Sequence, residues 1–162
     1  MTNETSSLEN LQTALSMELS AATQYLLHAH VLDDWGLDKL AAKMREEMHE
    51  ELEHAGRFTD RILFLGGDPV MVPAKTPVRA KSLKEMFETD KADEKEAITF
   101  YTRSSRLAFE ADDIGSKALF EEIALDEEGH WAWLDLQLDL LERMGESSFI
   151  SKHMTVESED ED

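Results

Sequence analysis

Cysteine is absent from this 162-residue chain. That excludes disulfides, thiolate zinc sites and Cys-ligated iron–sulfur clusters, and it fits a reducing compartment. Basic residues are scarce: 16 Lys and Arg stand against 36 Asp and Glu, for a net charge of −20. Nucleic acid and anionic membranes are therefore poor partners, and cations are good ones. No apolar run approaches the ~20 residues that a membrane helix needs. The opening MTNETSSLEN has neither the basic start nor the apolar stretch of a signal peptide, so a cytoplasmic location is expected. Only three prolines occur, Pro69, Pro73 and Pro77, and Gly66 and Gly67 precede them. GGDPVMVPAKTPVRAK is thus read as an extended crossover, not a helix. The flanking segments show little β-branched alternation, which points to an all-α fold.

What is present is a repeated helical stripe. Leu8, Leu11, Leu15, Glu18, Ala22, Tyr25, Ala29 and Leu32 share one face of a long helix. Ser6 with Glu9 reads as its capping box and Gly36 as its stop. Leu40, Met44, Glu47, Glu51, His54, Phe58 and Ile62 form the face of a second helix. Beyond the prolines, Ser82 with Glu85 caps a third, running through Phe87, Glu94, Ile98, Tyr101 and Ala108. Asp112, Asp113 and Gly115 mark a turn. Leu119, Ile123, Glu127, His130, Leu134, Leu138 and Leu141 stripe a fourth helix, which Gly145 ends, and ESSFISKHM makes a short fifth. Four long helices with one long middle connection predict a four-helix bundle with a crossover between helices 2 and 3. The expected domain spans 1–154, followed by an acidic, disordered tail at 155–162.

Charged residues inside those stripes need a reason. A buried, unpaired carboxylate costs several kcal/mol or takes up a proton. Glu18, Glu51, Glu94 and Glu127 all fall on core faces, as do His54 and His130, while Lys91 and Arg61 are the nearest bases. A metal is the natural counter-charge. The register is regular: 94 − 18, 127 − 51, 130 − 54 and 101 − 25 all equal 76. The halves therefore read as a duplicated helix pair, each giving one Glu and one Glu-x-x-His. Glu and His at i and i+3 project from one side of a helix. Two such pairs with two single Glu residues make the carboxylate set that holds two iron or manganese ions. A further Glu-x-x-His, Glu46 with His49, lies off the stripe. Tyr25 and Tyr101 read as core aromatics near the metals, one of them a hydrogen-bonding or redox neighbour. Gly56 and Gly129, beside the histidines, are read as sites of close helix packing. Trp35, Trp131 and Trp133 read as packing residues, and His28 and His30 as non-ligands.

The motifs QYLLHAHVLDDWGL (24–37), DRILFLGGDP (60–69) and DEEGHWAWLDLQLDLLERMG (126–145) carry a resemblance to the bacterioferritins of the ferritin-like superfamily. The resemblance covers nearly the whole chain. It implies a hollow shell of about 24 subunits built from twofold dimers. It also implies a ferroxidase that oxidises Fe²⁺ with O₂ or H₂O₂ and stores ferric mineral inside. In that likeness Glu18 and Glu94 are terminal ligands of two iron ions per subunit, Glu51 and Glu127 bridge them, and His54 and His130 each bind one. Tyr25 matches the family's tyrosine near the site.

Two positions depart from the family pattern. Its haem sits at the dimer interface on a Met from each subunit, and the matching residue here is Leu52. A homodimer of this chain is therefore expected to lack bis-Met haem, unless a haem-binding paralogue joins a mixed shell; Met48 lies one turn earlier. The inner-surface iron site of some members, made of His and Asp, is matched by Glu46 and Glu50. A non-storage di-iron peroxidase or oxidase stays open as an alternative, although the missing cysteine argues against a rubredoxin-bearing form.

Overall fold

The 3-4 rhythm of apolar residues folds as five helices: α1 (Asn3–Asp34), α2 (Asp38–Phe64), α3 (Leu83–Glu110), α4 (Ile114–Met144) and the short α5 (Glu146–Ser151). The computed structural model describes residues 3–154, with side chains from Ser7 onward, so the expected acidic tail lies outside the described residues. Among those residues there is no strand. α1 packs chiefly on α2 and α3 chiefly on α4, and the two hairpins join through α1–α3 and α2–α4. That is the four-helix bundle expected from the pattern.

Helix ends follow local chemistry. Ser82 caps α3 by accepting the Glu85 N–H at 3.1 Å, and Glu85 accepts the Lys81 N–H in return. Asp113 caps α4 by accepting the Ser116 N–H at 3.0 Å, and Arg61 of α2 anchors that carboxylate at 2.5 Å. Gly36 and Gly145 both sit at φ 78°, the left-handed conformation in which glycine ends a helix without strain. One expected cap is displaced: α1 begins at Asn3, so Ser6 lies inside it. Several Asn, Thr and Ser residues there offer competing starts, and spacing alone does not rank them.

The core forms two clusters on either side of the charged middle. One gathers Leu11, Leu15, Phe58, Tyr101, Phe120 and Ile123; the other gathers Leu32, Leu40, Met44, Phe87, Leu134 and Phe149. Each fully buried large side chain contributes about 1.5–3 kcal/mol of hydrophobic free energy. Trp133 packs edge-on to Phe87 and Trp131 lies beneath Lys91, in keeping with packing roles.

The crossover lies along α1, held there by glutamines. Gln12 accepts the Val70 N–H at 2.8 Å and donates to its carbonyl at 2.9 Å. Gln24 does the same for Val78, at 3.0 and 2.9 Å. Between them the Ala74 N–H donates to the Ser16 carbonyl and the Lys75 N–H to Ser20 Oγ. A proline-rich segment has no helix of its own to satisfy its backbone, so side chains of α1 supply the partners.

Candidate metal centre

Four helices each contribute to one buried cluster between the two apolar cores. Glu18 comes from α1, Glu51 and His54 from α2, Glu94 from α3, and Glu127 and His130 from α4. All six are buried, His130 being the most open at 7% exposure. Their donor atoms fall into two overlapping sets, each within 4.8 Å: Glu18, Glu51, His54, Glu127, and Glu51, Glu94, Glu127, His130. Glu51 and Glu127 belong to both. The bases nearest in sequence are engaged elsewhere, Lys91 with Asp135 and Arg61 with Asp113 and Ser116.

The histidines are oriented from behind. His54 Nδ1 lies 3.1 Å from Glu127 Oε1 and 3.6 Å from Glu18 Oε2. Its Nε2 makes a 3.0 Å hydrogen bond with Asp126. His130 Nδ1 lies 3.0 Å from Glu51 Oε1, and its Nε2 lies 2.8 Å from Glu47 and 3.0 Å from Glu50. A carboxylate behind an imidazole fixes its tautomer and strengthens it as a ligand. Tyr25 donates to Glu94 Oε1 at 2.5 Å, and Tyr101 donates to Glu18 Oε1 at the same distance. The twofold relation between the halves thus extends from the six residues to both tyrosines.

Several inward atoms have no hydrogen-bond partner among the described residues: Glu18 Oε2, both oxygens of Glu51, Glu127 Oε1 and the Nδ1 of both histidines. They approach one another without hydrogen-bond geometry. Buried polar atoms are satisfied in the great majority of folds. Oxygen and imidazole donors converging in this way fit Fe²⁺, Mn²⁺ or Zn²⁺.

Charge in the bare cluster is handled with protons. Burial pushes the carboxyls of Glu51 and Glu127 well above the usual range, and the neighbouring Glu18 and Glu94 charges push the same way. Protonated Glu51 can then bond Glu18, and protonated Glu127 can bond Glu94. Burial opposes charge on His130, yet Glu47 and Glu94 outweigh it and push that imidazole up to about 12. Burial likewise opposes charge on His54, but Glu18 and Asp126 raise it. Burial first, and then Glu94 or Glu18, holds Tyr25 and Tyr101 well above the usual phenol range.

The chain matches the ferritin-like domain over residues 8–144. It is 41% identical to a bacterioferritin of Brucella melitensis over 150 residues, 92% of each chain. It is 39% identical to the bacterioferritin of Rhodobacter capsulatus over 88% of each. The chain belongs to the bacterioferritins. A solved Rhodobacter capsulatus bacterioferritin, described with a metal-free dinuclear site and a haem iron in a crystallographic special position, superposes with a TM-score of 0.93. That match has 36% identity and covers 98% of this chain and 99% of that one. Mycobacterium tuberculosis BfrA superposes at 0.89, with 35% identity, covering 92% and 94%.

Within this bacterioferritin chain, other expectations sort differently. Leu52 is 46% exposed on α2, outside the cluster. Glu50 stands behind His130, whereas Glu46 points to solvent beside Lys43 and joins none of the ligand sets. Gly56 and Gly129 are not packing sites within the chain: a Cβ at either meets nothing within 4 Å. Both lie on the outward face of their helices, and close approach occurs instead at Gly115, against the Arg61 guanidinium. His30 is exposed. His28 is fully buried against Asp90 at 2.8 Å. Burial raises the Asp90 carboxyl to about 6 although His28 pulls it down.

Glu47 and Asp126 carried no role in the sequence reading, and Glu50 was read there only with Glu46 as a match to an inner-surface iron site, not as a group behind His130. The signal was there for all three. Glu47 lies on the α2 stripe, and 126 − 50 equals 76, the same offset as the ligands.

Proposed function

We propose that this bacterioferritin is an iron-storage ferroxidase that takes Fe²⁺ into its buried Glu–His cluster, oxidises it with O₂ or H₂O₂ and passes ferric iron to a mineral core. The single observation that carries this reading is the pair of four-residue sets sharing Glu51 and Glu127. Two shared carboxylates hold two cations close together, so that one oxidant can draw an electron from each. Glu18 and Glu94 serve as terminal ligands, His54 and His130 bind one ion each through Nδ1, and Tyr25 and Tyr101 hold the terminal carboxylates in place. No helix of the described residues is long and apolar enough to cross a membrane, which suits a cytoplasmic shell of about 24 subunits built from dimers. With Leu52 at the haem-ligand position, a homodimer forms no bis-Met haem site, and a haem-binding paralogue in a mixed shell is the route by which haem would enter.

The test loads the purified protein with several hundred Fe²⁺ per assembly in air. Size exclusion then follows protein, ferric-oxo absorbance and the haem band together. Ferric iron co-eluting with a shell-sized particle, free of haem absorbance, is the expected result. About two irons per chain on a smaller species would overturn storage and favour a non-storage di-iron oxidase or peroxidase.

A further inference from the structure

A cavity of about 230 Å³ opens beside the cluster on its α1–α3 side, under the crossover. Glu18, Glu51, Glu94 and Glu127 form its floor, and Ala74–Val78 of the crossover form its roof. The roof is fastened to α1 through Ser16, Ser20 and Gln24. Toward α3, Lys75 spans from the crossover to two acids: its Nζ lies 3.0 Å from Asp93 and 3.3 Å from Glu96. Both acids line the cavity and are about half exposed, so they form its mouth. Between mouth and floor stands Asp90. It is 3% exposed, and its Oδ1 is taken by His28 while its Oδ2 has no partner among the described residues.

We propose that this cavity is the entry chamber for hydrated divalent cations, with Asp93 and Glu96 as an outer binding site that Lys75 occupies until a cation displaces it. The proposal rests on the ferroxidase reading and adds the route to it. Three observations converge. The mouth is dianionic and carries a cation of the protein's own. The ion pair is exposed and therefore weak, so a divalent ion exchanges for the ammonium readily. Inside, the free oxygen of Asp90 offers a step between the mouth and the four carboxylates of the floor. The pseudo-symmetric counterpart of Asp90 is Ala14, since 90 − 76 equals 14. The route therefore exists on one flank of a duplicated site.

Filling of the cluster by Co²⁺ tests this in the full-length assembled protein, followed by stopped-flow visible absorption and checked by equilibrium stoichiometry. Asp93→Asn/Glu96→Gln should slow filling roughly tenfold at low ionic strength, the scale of lost electrostatic focusing. It should leave the final stoichiometry unchanged. Lys75→Met should speed filling, and the difference should fade at high salt. Lys91→Met, which frees Asp135 away from the cavity, controls for net charge and should match the parent. Unaltered filling in Asp93→Asn/Glu96→Gln, or an equal change in Lys91→Met, overturns the entry route. Failure of the unsubstituted protein to take up two Co²⁺ per chain would instead overturn the di-metal reading itself.

Discussion

Replacing Glu51 with Gln should have opposite effects on the metal-free and metal-loaded protein. Glu51 is fully buried, neither oxygen has a donor when ionised, and both ligand sets depend on it. In the bare protein burial, with the neighbouring carboxylates adding to it, makes Glu51 hold a proton that the unfolded chain gives up above its ordinary value of 4.5. Gln has nearly the same volume, carries no charge and still donates to Glu18. Sparing the folded protein the cost of keeping that proton is worth about 1–2 kcal/mol near neutral pH, and at 2–4 °C per kcal/mol for a chain this long the metal-free Tm should rise by roughly 2–8 °C. The sign fixes the pH dependence. The folded-state pKa of Glu51 is raised, so its stabilising contribution is complete below 4.5 and is lost as pH rises through the folded value. The advantage of the Glu51→Gln variant should therefore grow from pH 5 to pH 8. Metal reverses the order. Two ions, each at a free concentration 100 times its Kd, stabilise the parent by about 5 kcal/mol, or roughly 10–20 °C. The variant lacks an anion common to both sites and should keep less than half of that rise. Scanning calorimetry of equal-sized assemblies, in chelator and in Zn²⁺, reads both effects. A lower metal-free Tm in the variant, with an undiminished zinc shift, would refute the reasoning. It would show Glu51 to be a structural group.

Three further outcomes are expected. Metal uptake should release protons, because His54, His130, Glu51 and Glu127 all have raised folded pKa values. Affinity should then fall steeply as pH drops below neutrality, and titration calorimetry in buffers of different ionisation heat should give more than one proton per chain; none would sink the ligand protonation scheme. Tyr101→Phe should cost about 1.5–3 kcal/mol in urea unfolding, since it leaves a buried Glu18 oxygen without its donor, and Tyr25→Phe should match it through Glu94. A clear inequality between the two would break the twofold picture of the site. Leu52→Met should give purified, haem-reconstituted protein a bis-thioether haem band that the parent lacks. An identical spectrum for parent and variant would remove residue 52 from the haem question.

The parts of the protein legible in the sequence are those written in short periods. Glu18, Glu51, Glu94 and Glu127 sit in register with Leu and Phe on core faces, so helix geometry alone brings them inward. The 76-residue offset between halves then pairs them without any structure. The offset marks Tyr101 and Asp126 too, but not which group each one meets, because periodicity does not encode that separation. Tyr101 reaches Glu18 across 83 residues and Asp126 reaches His54 across 72. His28 was read as a packing residue, but its burial against Asp90, 62 residues away, needed the bundle to close. The glycine reading failed for a related reason. A Gly within a helix signals that something special is tolerated there, not which neighbour causes it, and Gly56 and Gly129 face open space.

Duplication gives the centre its symmetry, and the residues around it take that symmetry away. The six inward groups and the two tyrosines repeat at one offset, so the two four-residue sets are near-equivalent in the side chains they gather. Behind the histidines the match is incomplete. His54 is backed by Asp126, whereas His130 is backed by Glu50 and also by Glu47, whose counterpart is Ile123 because 123 − 47 equals 76. Lys43 holds Glu47 in place at 2.6 Å. The extra carboxylate makes His130 the more strongly polarised imidazole, which agrees with its rise to about 12. On the opposite flank, Asp90 and the Lys75 latch are also single. An acidic approach on the α1–α3 side and an additional acid on the α2–α4 side place unequal fields across an otherwise balanced pair.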